Sequence, residues 1–350
     1  MVSAVITGIG TALPPSASQQ MLWDGFFSRH FRHARIARRI FDNSGVVTRQ
    51  GVANPLIEDV SRWPTQRRMQ RYAAAALPLG REAIQGALTA AGVKAEDIGL
   101  LAMASCTGYT TPGPDILLAR ELGMPPQLRR LFIGHMGCYA ALPGLAAVAD
   151  YVVAQRRPAV LLCLELTSLH LQPASENLDV EQIVAHALFS DAAAAVVVEP
   201  RESVGERDLA VIDVTAQTDP DTAPYMTWEV TDLGFRMGIS PQVPDVLAAH
   251  VADVVEALLD RHGLTVADVT HWAVHPGGPR ILDVVQTELG LPPEMFDASW
   301  AVLRDHGNCS SATVLLVLER LVRSGPVGTL VALAFGPGLT LYGGLLRARR

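Results

Sequence analysis

Three polar residues close otherwise apolar stretches, and their types define the chemistry open to this chain. They are Cys138 in LFIGHMGCYAALPGL, His275 at the end of THWAVH, and Asn308 in DHGNCSSATVLL. Cys138 follows a short apolar strand (Leu131, Phe132, Ile133) and a turn punctuated by Gly134 and Gly137. The apolar segment after it reads as a buried helix to about Ala154, which accepts Pro143 only within its first turn. A helix start offers unpaired N–H groups and a positive dipole end, and both favour a thiolate. Each residue also has a plain structural reading. Most free cysteines are small buried hydrophobes, His275 before Pro276-Gly277-Gly278 suits a turn, and Asn308 suits an N-cap. Together they make a coherent set. A thiolate attacks a thioester, an imidazolium stabilises that thiolate, and imidazole and amide N–H groups donate to the oxyanion. The residues alone support a thiol-dependent acyl-transfer enzyme of the α/β class.

The elements that position these residues alternate. Strands are expected at Ser3–Gly8, Val46–Val52, Ile98–Ala104, Ala159–Leu166, Ala192–Val198, Leu209–Ala216, Tyr225–Arg236, Thr270–His275, Thr329–Phe335 and Leu339–Leu346. Helices are expected at Gln19–Phe41, Met69–Ala91, Asp115–Leu122, Val180–Leu188, Val243–His262, Pro279–Gly290 and Asn308–Arg323. The rhythm of the first half recurs in the second, without a Pro/Ser linker between them. The expectation is one unit of two fused α/β halves, residues 1–200 carrying the cysteine and 201–350 carrying the histidine and asparagine.

Composition excludes several classes. With 350 residues, 49% hydrophobic and 18% charged, the chain is globular, not disordered. The net charge is −7 and no basic run is interleaved with aromatics, so nucleic acid is not an expected partner. The arginine-dense stretch Arg29–Arg39 reads as a solvated helix face or a phosphate-attracting patch. Four scattered cysteines (Cys106, Cys138, Cys163, Cys309) give neither a zinc site nor a disulfide scaffold. The longest uncharged run, Gly325–Leu346, is broken by Phe335-Gly336-Pro337-Gly338 and suits two buried strands better than a membrane span. The N-terminus has no signal-peptide pattern, and a cytoplasmic protein is expected.

The chain resembles the type III polyketide synthases of the chalcone synthase superfamily, on the thiolase fold. The resemblance rests on MGCYAA, VHPGGPRILD, HGNCSSATVLLVLE and FGPGLT, supported by SCTGYTTPGPD and ALFSDAAAAVVV, in family order over nearly the whole chain. It implies a layered α/β/α/β/α core and a homodimer. Cys138 would take the starter acyl group, while His275 and Asn308 activate malonyl-CoA for decarboxylation and hold the thioester oxygen. Phe189 matches a gatekeeper phenylalanine. Met237 falls where the family has a second aromatic and is a departure. Cys106, Thr107, Thr167, His170, Trp228 and Ser310 match cavity-lining positions, and Trp228 replaces a glycine, which implies a smaller elongation cavity. Thr111 matches the position that reaches across the dimer interface. Arg49 is the expected CoA-phosphate partner, with Arg38 and Arg39 as helpers. No cofactor or metal is implied, since acyl-CoA and malonyl-CoA are substrates. The motifs are most similar to bacterial alkylpyrone-forming members, implying a fatty acyl starter, a few extensions and cyclisation to an alkyl-α-pyrone or alkylresorcinol. Other type III products (tetrahydroxynaphthalene or chalcone-like), a ketoacyl-ACP synthase III and an inactive scaffold homologue are the competing expectations.

Overall fold

Successive strand side chains point to opposite faces, and in this chain both faces are apolar. Ala102 and Ala104 face one core while Leu101 and Met103 face another, and Leu161 and Cys163 part from Val160, Leu162 and Leu164 in the same way. In the second half Leu330, Ala332 and Ala334 part from Val331, Leu333 and Phe335. Sheets buried on both faces require helices on both sides, and the computed structural model, which describes residues 2–175 and 177–349, has that arrangement. The long helix Thr65–Ala91 covers one outer face and Val243–Asp260 with Pro279–Glu288 the other. Ala141–Gln155 and Thr313–Arg323 lie between the two halves of the strand array, in the shared central core. The small residues on the inward faces (Ala102, Ala104, Ala192, Ala194, Ala332) let the two central helices fit there.

The nine main strands run in the spatial order Val269–Val274, Thr329–Gly336, Thr340–Arg347, Leu209–Thr218, Ser3–Ala12, Asp191–Arg201, Ala159–Leu166, Leu100–Ser105, Arg129–Gly134. Outward from Ser3–Ala12, the pairings are antiparallel, antiparallel, parallel and parallel. Outward from Leu209–Thr218 they are antiparallel, antiparallel and parallel, so the topology recurs. The halves meet at a short seam, Val5 opposite Ala210 and Ile6 opposite Leu209.

Three expected elements differ. Gln19–Phe41 is not one helix. A π-turn over Trp23–Phe27 interrupts it, and Arg32 and His33 at φ 52° and 56° end it before a separate helix, Arg35–Asp42. Tyr225–Arg236 is a hairpin, Met226–Thr231 with Gly234–Ile239, outside the main sheet. The helix expected from Asn308 begins at Thr313, because residues 308–312 form a bridge and a 3₁₀ turn. Asp297–His306 is a helix that the apolar periodicity did not reveal.

Candidate active site

Cys138 lies in the turn between strand Arg129–Gly134 and helix Ala141–Gln155, with Pro143 in that helix's first turn. Gly137 has φ +83°, and a Cβ there would lie 2.5 Å from the Pro337 ring. Its N–H donates to Cys106 Sγ (3.2 Å). The turn is thus clamped between the 335–338 loop and residue 106, which fixes the thiol. His275 continues the parallel ladder, its N–H donating to the Leu333 carbonyl (2.8 Å). Asn308 is pinned to the loop carrying Phe189. Its N–H donates to the Leu188 carbonyl (2.8 Å), and its own carbonyl accepts from Ser190 (2.9 Å). Two separate halves therefore deliver three side chains to one place.

These side chains border a cavity of about 590 Å³ walled mainly by apolar groups, among them Met226, Ile239, Leu247 and Leu339. Asn308 Oδ1 accepts from the Ser310 N–H (2.9 Å) and faces Cys138 Sγ at 4.0 Å. Asn308 Nδ2 donates to the Gly277 carbonyl (3.3 Å), which fixes the amide and leaves its second N–H for an incoming oxygen. Both ring nitrogens of His275 are buried without a partner among the described residues. An unpaired buried imidazole at a cavity wall is costly unless a reacting group uses it.

Burial opposes a charge on either group. It pushes the Cys138 thiol up to about 12, against hydrogen bonds from Ser310 and Asn308, and drives the His275 imidazole down to about 3. This corrects the expectation that the helix start favours a thiolate. The helix begins three residues later, at Ala141, and desolvation outweighs its dipole. Glu165, fully buried beneath the site, holds the Cys106 N–H and the Thr107 hydroxyl (2.9 Å each) and the Ser311 hydroxyl (2.6 Å). Nothing in the sequence pattern singled it out, because it sits inside an otherwise apolar strand.

Phe189 stands where three cavities meet, the large one, a small one of about 40 Å³ behind Cys138, and a third of about 70 Å³ beside Arg49. Met237 and Met226 border both the large and the small cavity, and Met226 was not foreseen. Cys106, Thr107, Thr167, Trp228 and Ser310 line the small cavity. His170 does not line it. Its ring stacks on Phe235 (4.5 Å), bonds the Thr107 carbonyl (2.7 Å) and accepts from the Phe235 N–H (2.9 Å), so it supports the wall from behind. Thr111 is exposed and borders neither cavity.

Arg49 corrects another expectation. It is 8% exposed, and its guanidinium points inward, donating to the carbonyls of His186 and Phe189 (the latter 3.1 Å) and lying 5.2 Å over the Phe27 ring. Burial lowers it to about 10. A cation spent on two buried carbonyls is a clamp for the Phe189 loop and not a phosphate site at a cavity mouth. Arg38 is tied to Asp42 (2.8 Å) and lies over Trp23.

A layered α/β fold that brings a cysteine, a histidine and an asparagine to one apolar cavity belongs to the thiolase-like class of acyl-transfer enzymes. The family comparison is specific. Residues 2–201 match the N-terminal domain of chalcone and stilbene synthases and residues 211–349 their C-terminal domain. Thus the chain belongs to the chalcone and stilbene synthase family and is a type III polyketide synthase. It is 32% identical to the alpha-pyrone synthesis polyketide synthase-like Pks18 of Mycobacterium tuberculosis, over 97% of this chain and 90% of the relative. It is 35% identical to the 1,3,6,8-tetrahydroxynaphthalene synthase of Streptomyces peucetius subsp. caesius, over 98% and 92%. The crystal structure of PKS-I from the brown alga Ectocarpus siliculosus superposes with a TM-score of 0.92 at 29% identity, covering 99% of both chains. No helix among the described residues is long and apolar enough to cross a membrane.

Proposed function

We propose that the enzyme loads an apolar, fatty acyl starter from CoA onto Cys138, extends it by a small number of malonyl-CoA decarboxylative condensations, and releases an alkyl-α-pyrone. The observation that carries this reading is the pair of cavities joined at Cys138, one of about 590 Å³ holding His275 and Asn308, the other of about 40 Å³. His275 takes the thiol proton during acyl transfer. His275 and Asn308 then donate to the thioester oxygen of malonyl-CoA as carbon dioxide leaves, stabilising the enolate. Phe189, Met226 and Met237 form the gate between the cavities and exclude water from the enolate. The apolar wall suits an aliphatic starter, while the smaller space, about 40 Å³ against about 590 Å³ for its neighbour, limits growth. A ten-carbon fused aromatic built from malonate alone fits that space poorly, which argues against a tetrahydroxynaphthalene product.

Arg280 borders the large cavity and Arg39 precedes Ile40 on its rim, and both are exposed, so these two take the CoA-phosphate role first expected of Arg49. The edge strand Arg129–Gly134 exposes Leu131 and Phe132, and a second copy is the occupant that covers this edge. The test is product mass spectrometry on purified enzyme with malonyl-CoA and starters from acetyl- to palmitoyl-CoA. Tri- or tetraketide alkylpyrones are expected. Products from malonyl-CoA alone, or from aromatic starters only, refute the starter assignment.

A further inference from the structure

Closing a pyrone on Cys138 moves a proton off an enol oxygen, and a base that faces the growing chain speeds that step. His275 borders the large cavity and is not among the residues around the small one. The small cavity has twelve lining residues, of which Cys106, Cys138 and His135 alone carry titratable side chains. Among these His135 is the one imidazole. It sits three residues before the nucleophile at φ +60°, a left-handed conformation in which histidine is several-fold enriched over most residues but which remains uncommon. Its neighbours hold it there. Gly134 closes the ladder against Ser105, Met136 packs into the central core, and Gly137 is tied to Cys106. Such local strain persists where surrounding structure enforces it and clusters at functional sites. His135 is exposed, and its imidazole has no hydrogen-bond partner among the described residues.

We propose that His135 is the general base for lactonisation, an inference that rests on the function proposed above. In a triketide held on Cys138, the imidazole takes the proton of the C5 enol hydroxyl. The enol oxygen attacks the C1 thioester carbonyl, a C–O bond forms, and the C–S bond to Cys138 breaks. The imidazolium returns its proton to the departing sulfur, so the products are a 4-hydroxy-2-pyrone and the free thiol. No oxidant or further reactant is needed. A buried thiolate is a poor leaving group, which makes that proton return necessary.

The experiment compares wild type with His135→Asn and His135→Gly, both residues that accept the left-handed backbone and neither a base. Acyl loading of Cys138 by intact mass and malonyl-CoA decarboxylation are measured beside the ratio of pyrone to linear hydrolysed chains. General bases contribute roughly 10²–10⁴-fold. Pyrone formed per loaded chain should fall at least tenfold in both variants, with loading and decarboxylation within about twofold of wild type. Added imidazole should restore lactonisation in His135→Gly. An unchanged ratio in His135→Asn, or a loss in His135→Gly that imidazole does not repair, overturns the assignment. A wild type that neither loads Cys138 nor makes pyrone refutes the proposed function, and this role falls with it.

Discussion

Removing His275 should silence Cys138 as a nucleophile while leaving the thiol in place, and the size of the effect follows from burial. Burial pushes the thiol up to about 12. At pH 7 the thiolate fraction is then about 10⁻⁵. Thiols paired with an imidazolium fall to about 3.5–7.5. Taking the weak end of that range, about a quarter of the paired thiol is ionised at pH 7. Intrinsic nucleophilicity falls with pKa by a Brønsted factor of about 0.4–0.5, which returns roughly 10² of the difference. The net expectation is a fall of roughly 10²-fold in iodoacetamide alkylation at pH 7 in His275→Gln. The variant's rate should also climb about tenfold per pH unit through pH 9 without levelling, because its thiol titrates alone. Alkylation at Cys138 would be followed by peptide mass spectrometry, with the other buried cysteines as internal controls. If His275→Gln alkylates as fast as wild type, or its rate levels below pH 9, burial does not control this thiol and His275 is not its base.

Three further outcomes are expected. Trp228→Gly removes the indole that bonds the Cys106 carbonyl (2.8 Å) and walls the small cavity, and should lengthen the product by at least one extension; an unchanged product profile by mass spectrometry defeats the size argument. Arg49→Met leaves the His186 and Phe189 carbonyls without their donor and should lower stability by about 1–3 kcal/mol in urea titrations, with KM for CoA thioesters within about twofold; a tenfold KM rise at unchanged stability would return Arg49 to phosphate binding. His170 is held down to about 3 by burial, against about 6.5 unfolded, so the unfolded chain takes up the proton first. Its contribution is complete above about pH 6.5 and is lost as pH falls toward 3, about 2 kcal/mol of it by pH 5. Buried Glu165 and Asp191, raised by desolvation, act in the opposite sense. The comparison is therefore with His170→Phe, which should lose about 2 kcal/mol less than wild type between pH 7.5 and 5; equal losses refute the assignment.

Much of the layered core was legible because both faces of its strands are apolar and short, so continuous runs such as Ile98–Ala104 and Ala192–Val198 have few alternatives to a buried strand. The motifs around Cys138, His275 and Asn308 were legible as a set, and the structure does bring them to one cavity. What one-letter codes could not report was direction. Arg49 sits in a basic-looking context, yet its side chain turns inward to two carbonyls. His170 occupies a cavity position in sequence but spends both nitrogens on backbone behind the wall. The ionisation of Cys138 depends on how deeply the site is buried, and that is decided by the packing of the two halves, which brings Cys138 against His275 and Asn308, 137 and 170 residues further along the chain. His135 escaped notice because a left-handed residue between two glycines reads as turn filler until the cavity beside it is seen.

The clamp on Phe189 connects these corrections to product choice. The Phe189 carbonyl is held by Arg49, and the next residue, Ser190, donates its N–H to Asn308 and shares a hydroxyl contact with Gln50. Asn308 in turn positions the amide that faces Cys138. The Phe189 loop and the Asn308 amide are therefore one mechanical unit, so a shift of Phe189 displaces the asparagine as well. On the opposite side, Met226, Trp228 and Met237 belong to a hairpin outside the main sheet, held by side-chain bonds such as His170 to Phe235 and Trp228 to Cys106. Changes in the hairpin can alter cavity volume without disturbing the Asn308 amide, whereas changes around Phe189 cannot. Substitutions in the hairpin should accordingly redistribute chain lengths at nearly constant malonyl-CoA decarboxylation, and substitutions at Phe189 or Ser190 should depress both together. Measuring decarboxylation beside product length for Met237→Ala and Ser190→Ala separates the two; a Met237→Ala variant that loses both in parallel would show that the hairpin and the amide are coupled after all.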